Sequence, residues 1–163
     1  MSIVHHCFPP IVSPRTRLLI LGSLPGAASL AAGRYYANPR NQFWRLLEIV
    51  IERPLASLPY DDRLAMLQAC GIGLWDTVAA ASRPGSLDAD IRLKAASDVP
   101  ALAATLPELR AIAFNGGTAA RIGRREMGTT AVALLDLPSS SPAYTLAFAK
   151  KAEAWGELRA HLG

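Results

Sequence analysis

A chain of 163 residues fits one domain and can bury a core without metal or disulfide staples. Its composition, 51% hydrophobic and 18% charged, excludes a disordered tail, and no apolar run reaches the roughly 18 residues of a membrane span. The net charge of +4 permits a polyanionic partner without requiring one, while two distant cysteines, Cys7 and Cys70, argue against a secreted disulfide framework and cannot build a four-thiolate metal centre. These features point to a single domain over residues 1–163, cytoplasmic, with no metal.

The N-terminal segment carries His5, His6 and several prolines, has no signal-peptide pattern, and reads as irregular. Residues 17–22 (RLLILG) form an apolar run stopped by glycine, a buried strand. Ser23-Leu24-Pro25-Gly26 is a turn, and the small residues 27–32 start a helix. Residues 41–52 (NQFWRLLEIVIE) have helical periodicity with Asn41 near the cap and Arg53-Pro54 at the end. A helix is expected over 61–69, closed by Gly71, then a short strand over 72–75. Residues 82–97 show no clear period and read mostly as loop. A helix over 99–106 follows, then a strand over 111–115, a helix from Gly116-Gly117 to about 126, a strand over 130–137, a Ser/Pro loop over 138–142, and a closing helix over 147–162.

Strands alternating with helices predict an α/β fold, a parallel sheet covered on both faces. Ligands of such sheets bind outside the carboxyl ends of the strands. The loops there are 22–26, 75–79, 115–118 and 137–144. The first is a glycine-bounded turn, G22-S-L-P-G26, in which Gly22 and Ser23 offer backbone donors; its spacing fits neither a dinucleotide fingerprint nor a P-loop. Downstream lies Y35-Y-A-N-P-R-N-Q-F-W44. Phe43 and Trp44 read as core, with one of the tyrosines. Tyr36 either stacks on a planar base or packs. Asn41 either caps its helix or serves chemistry, two roles that are compatible, and Asn115 either turns the chain or contacts a ligand. Ser139, Ser140 and Ser141 form a polar surface loop or a phosphate contact. Asp76 reads as a cap or turn residue able to orient a neighbour, and Arg121, Arg124 and Arg125 as a solvated helix face or a phosphate contact. His5 and His6 are given no role.

The pattern G-x-x-P-G, then A37-N-P-R-N-Q-F-W44, then F114-N-G116 and L137-P-S-S-S-P-A143, resembles the uracil-DNA glycosylase superfamily. It is similar to the mismatch-specific branch and closer to the hypoxanthine-DNA (deoxyinosine) glycosylase branch. The resemblance implies a three-layer α/β/α sandwich with a central four-stranded parallel sheet, acting without cofactor on damaged double-stranded DNA, and on single strands as a further option, as a monomer associated with the nucleoid through its substrate. One departure matters: the third motif position, elsewhere Asn, Asp or Glu, is Leu24, which can neither orient water nor stabilise positive charge. The functional amides then map to Asn41 and Asn115. An amide supplies an acceptor for water and donors for a leaving base without ionising. Asn41 is expected to position water and Asn115 to read the base edge, or the reverse. The Ser139–Ser141 loop is expected to clamp DNA, with Pro142, Ala143 and Tyr144 as wedge candidates, Tyr144 preferred for size. A nucleoside or nucleotide hydrolase, and a non-catalytic DNA-binding homologue, are the competing readings.

Overall fold

The computed structural model describes residues 4–82 and 92–163. In chain order the elements are β1 (Val4–His6), β2 (Leu18–Gly22), α1 (Ala27–Ala32), α2 (Phe43–Ile51), α3 (Tyr60–Ala69), β3 (Ile72–Asp76), β4 (Val78–Ser82), β5 (Arg92–Ala96), α4 (Val99–Ala104), β6 (Ala111–Asn115), α5 (Gly117–Met127), β7 (Ala133–Leu137) and α6 (Phe148–Gly156), which tightens into a 3-10 turn over Glu157–His161. The central sheet has the order β3-β2-β6-β7, with each neighbouring pair parallel. All four strands were legible as apolar runs, and the expected α/β architecture with a four-stranded parallel sheet is present.

Each central strand divides its side chains between two faces, as period-two geometry requires. Leu18, Ile20, Ile72, Leu74, Ala111 and Ala113 join one core with Phe43, Trp44, Leu46 and Leu47 of α2, Leu67 of α3, and Trp155 of α6. Leu19, Leu21, Ile112 and Phe114 join the other with Val99 of α4 and Ala119 of α5. Helices thus cover the sheet on both sides, and the strand ends Gly22, Asp76, Asn115 and Leu137 share one edge.

Several expectations are corrected. Residues 82–97 do not lie mostly in loop: β4 and β5 pair antiparallel, and β1 adds to β4, making a second sheet of order β1-β4-β5. The part of that expectation falling on 83–91 lies outside the described residues. The irregular N-terminus expected around His5 and His6 is an edge strand, and 75–79 is not a loop, because β4 begins two residues after the last residue of β3. The strand expected over 130–137 starts only at Ala133; before it, the Thr130 hydroxyl accepts from the Val132 amide and holds a turn. The antiparallel strands were missed because short alanine-rich segments bear no apolar alternation, and backbone pairing rather than side-chain pattern places them.

Helix α5 lies so close to β6 that a Cβ at Gly123 would collide with the Phe114 ring. Replacing Gly123 by Ala should therefore destabilise the fold by about 1–3 kcal/mol despite alanine's better helix propensity, read as a lowered urea midpoint with an unchanged slope.

Candidate active site

The four strand ends and the loops that follow them enclose a cavity of about 520 Å³. The candidate site residues of the sequence motifs line it: Gly22 and Ser23 after β2, Tyr36 and Asn41 before α2, Asn115 at the end of β6, and Ser139, Ser140, Ser141 and Tyr144 after β7.

Asn115 is 7% exposed and its amide is engaged at both ends. Its Oδ1 accepts from the Ser140 backbone N–H at 2.9 Å, and its Nδ2 donates to Ser140 Oγ at 2.8 Å and more distantly to the Tyr36 hydroxyl at 3.4 Å. The side chain therefore fastens the serine loop to the sheet. Gly116, with φ of 95°, makes the approach possible: a Cβ there would lie 3.2 Å from the Ser139 Cβ. The loop is also tied to α2, because the Gln42 N–H donates to the Ser140 carbonyl.

Asn41 is not the N-cap of α2, which is Gln42; it makes an Asx turn one residue before the cap and lines the cavity. Its Oδ1 accepts from the Phe43 N–H at 3.0 Å, ordering the first turn of α2. Phe43 and Trp44 are core residues as expected, and Tyr35 is the buried tyrosine, its hydroxyl donating to the Pro9 carbonyl at 2.8 Å. Burial, and after it the negative charge of Asp76, push the Tyr35 phenol far above its ordinary value, so it stays neutral. Tyr36 is half-buried and sits at φ of 51°, unusual for a residue with a Cβ. Neighbours hold it there: Trp44 Nε1 donates to its carbonyl, and the next amide, Ala37, donates to the buried Ser29 hydroxyl. Phe43 covers one face of its ring at a centroid distance of 3.7 Å and 14° between planes. Packing thus claims one face of Tyr36, and the residue still borders the cavity.

Two charged residues were not given these roles by sequence reasoning. Asp76 is 3% exposed and is the only charged side chain lining the cavity among the described residues. It stands opposite Gly22 in the β2–β3 register, and the missing side chain makes room for it: a Cβ on Gly22 would fall 2.7 Å from Asp76 Oδ1 and 3.0 Å from the Tyr36 hydroxyl. Lys151 of α6 is the other, 1% exposed. Its Nζ donates to Gln42 Oε1 at 2.9 Å and to the Ser141 carbonyl at 3.2 Å, and burial draws its ammonium below the ordinary lysine value. Only a strand-end position hinted at Asp76, and nothing in the sequence marked Lys151 as buried.

Leu24 lines the cavity but is buried in an apolar cluster with Val78 and Ile122 and brings no polar group to it. Of the helix arginines, Arg124 pairs with Asp136 at 3.0 Å and lies over Phe114, a structural employment, and neither Arg121 nor Arg125 lines the cavity. Tyr144, 47% exposed at the rim, presents a large side chain outward, and the exposed Leu146 follows two residues later. Among the described residues no group of three His, Cys, Asp or Glu side chains could hold a metal, and no helix is long and apolar enough to cross a membrane.

A parallel sheet of order β3-β2-β6-β7, with carboxamides and a serine loop around a pocket at its carboxyl edge, belongs to one class of protein. The chain is a member of the uracil DNA glycosylase superfamily, whose family model matches residues 9–159. Among its relatives, it is 37% identical over 152 residues to the hypoxanthine DNA glycosylase of Methanosarcina barkeri, a match covering 92% of this chain and 94% of that protein. It is 42% identical over 109 residues to the hypoxanthine DNA glycosylase of Methanosarcina acetivorans, 67% of this chain and 69% of that protein. A solution NMR structure from Methanosarcina acetivorans, described as a candidate uracil DNA glycosylase, superposes with a TM-score of 0.86 at 36% identity, covering 98% of this chain and 99% of that one.

Replacing Asn115 by Ala strands the buried Ser140 amide and hydroxyl. The expected cost is about 1–3 kcal/mol in denaturant unfolding, with amide exchange at Ser140 accelerated more than at β6 itself.

Proposed function

We propose that this protein excises hypoxanthine from DNA, turning the damaged nucleotide out of the helix and hydrolysing its bond to deoxyribose. The enzyme class is that of its family, a DNA glycosylase acting on N-glycosyl bonds. The observation that carries the substrate reading is a cavity whose single charged lining residue, among the described residues, is Asp76. Deamination turns adenine N1 and cytosine N3 from lone pairs into N–H groups. An ionised carboxylate only accepts hydrogen bonds, so it favours the deaminated base over its parent. A site built to bond one edge rejects the analogue lacking it far better than an apolar pocket separates sizes.

Asn41 positions the attacking water. Its Oδ1 is held by the Phe43 amide, which fixes the side chain at the cavity wall and keeps one oxygen lone pair for a second donor. Asn115 contributes through what it holds, namely Ser140 and the Tyr36 hydroxyl. Since Nδ2 can only donate, the Tyr36 oxygen accepts in that contact and its proton points elsewhere. Bond breaking builds positive charge on the sugar and negative charge on the base, and with neutral amides around it catalysis rests on positioning and fixed dipoles rather than on a strong base. The substrate is double-stranded DNA: the serine loop supplies short hydroxyls to phosphate, and Tyr144 at the rim fills the gap left in the stack. No cofactor takes part, and the protein works as a monomer.

The test is a set of duplexes carrying hypoxanthine, uracil, xanthine or mismatched thymine, together with free deoxyinosine, scored by alkali-labile strand scission or release of base. Hypoxanthine should be released from the duplex and free deoxyinosine left intact; cleavage of the nucleoside alone would overturn the reading. Asn41→Ala should slow single-turnover release by about 10²–10⁴-fold. For Asp76→Asn the rate on hypoxanthine should fall about 10²-fold while discrimination against adenine narrows, because an amide can turn to donate to the adenine lone pair.

A further inference from the structure

Lys151 is an unusual group to find buried. Its hydrogen-bond partners, the Gln42 side-chain oxygen and the Ser141 carbonyl, are both neutral. The ion pairs present are Arg124–Asp136 and Arg159–Glu52, so no carboxylate balances Lys151 among the described residues. A buried ammonium without a counter-ion is costly, and a nonpolar residue would fill the same space without that penalty. The position of the charge gives the reason to keep it. It lies beneath the Ser139–Tyr144 loop, 5.4 Å from the centre of the Tyr144 ring, and grips Gln42, the neighbour of Asn41. The loop above it carries the half-buried Ser139 and Ser141 and the exposed Pro142, Ala143 and Tyr144 at the cavity rim.

We propose that Lys151 is a positioning residue for the DNA backbone: it holds the 139–144 loop against the start of α2, and a phosphate of the lesion strand docking on that loop supplies its missing counter-charge. The inference rests on reading the cavity as a DNA glycosylase site. It explains two features together, the neutrality of the lysine's partners and the direct contact of the buried ammonium with the Ser141 carbonyl of the rim loop. Before DNA binds, the ammonium is held by neutral groups, two oxygen dipoles and the Tyr144 ring face. When a phosphate arrives, its charge is felt through a thin layer of loop rather than through bulk water, where screening would be strong. The same lysine bonds to Gln42, so docking the phosphate and setting Asn41 at the cavity wall become one event.

The experiment measures binding of duplexes carrying a tetrahydrofuran abasic analogue, which cannot be cleaved, at several salt concentrations, with wild type and Lys151→Met. The methionine variant is expected to bind at least about tenfold more weakly at moderate salt and to show a salt slope shallower by about one, a change that loss of structure alone would not produce. A matching set of duplexes has single phosphates near the lesion replaced by neutral methylphosphonate. One replacement should weaken wild type and have no further effect on the variant. An unchanged salt slope, or equal sensitivity of both proteins to every replacement, would overturn the proposal. If the variant does not fold, the Lys151 Nζ resonance of wild type decides: it should shift on binding the native duplex and not the duplex lacking that phosphate charge, and identical shifts overturn it. Wild type that binds none of these duplexes would instead sink the reading of the cavity itself.

Discussion

The site is assembled by one reciprocal contact, the pair of hydrogen bonds between the Asn115 amide and Ser140. Strand β6 and the loop after β7 are neighbours in the sheet, but nothing in sheet geometry dictates where that loop goes once pairing ends. The amide decides it, accepting from the Ser140 backbone and donating to its hydroxyl, all out of water. In such surroundings a satisfied polar pair is strong and an unsatisfied one costly, so the arrangement has a single good geometry. With Ser140 fixed, its carbonyl takes the Gln42 amide and so locates the start of α2 and Asn41. The second Nδ2 contact reaches Tyr36, which is pinned from behind by Phe43. A carboxamide that sequence reasoning offered as a direct reader of the base is thus first the fastening that makes a cavity exist.

The parallel sheet was legible because its inner strands, β2 and β6, are buried on both faces. Leu18 to Leu21 and Ala111 to Phe114 are continuous apolar runs, which ordinary loops do not contain, and each ends at a residue that breaks the run. The second sheet was illegible for the opposite reason. Val78 to Ser82 and Arg92 to Ala96 carry small or mixed side chains, and β1 pairs only three residues, so the hydrogen bonds holding them leave no trace in residue type. The β3–β4 junction shows the consequence. Reading 75–79 as loop hid the fact that Asp76 is clamped between two strands and buried, not turned toward solvent.

Legibility of the site divides along the same line. Asn41, Asn115, Tyr36, Gly22 and the three serines were found because they stand in spaced motifs with breakers around them, and all reach one cavity. Asp76 was read only as a cap or turn residue able to orient a neighbour, and Lys151 was not singled out, because burial of a charge depends on what the rest of the chain places over it. An aspartate after a tryptophan or a lysine on an amphipathic helix looks like a surface residue in any sequence. Glycine gave an indirect clue: Gly22 closes an apolar strand as a turn glycine would, but its lack of a side chain serves the carboxylate across the register.

Placing an anion in the pocket also has a cost that bears on which base suits it. As the glycosidic bond breaks, the departing base takes on negative charge, and two unit charges 4 Å apart repel by about 4 kcal/mol at an effective dielectric constant of 20. In a pyrimidine the ring bearing the N–H is the same ring that receives this charge. In hypoxanthine the N–H lies on the six-membered ring while the bond breaks at the five-membered ring, and the charge spreads first over the imidazole nitrogens. In the proposed function Asp76 meets the six-membered edge, so a purine keeps recognition and leaving-group charge apart, and the repulsion falls with that separation. Under the proposed function, the Asp76 carboxylate therefore suits hypoxanthine better than uracil.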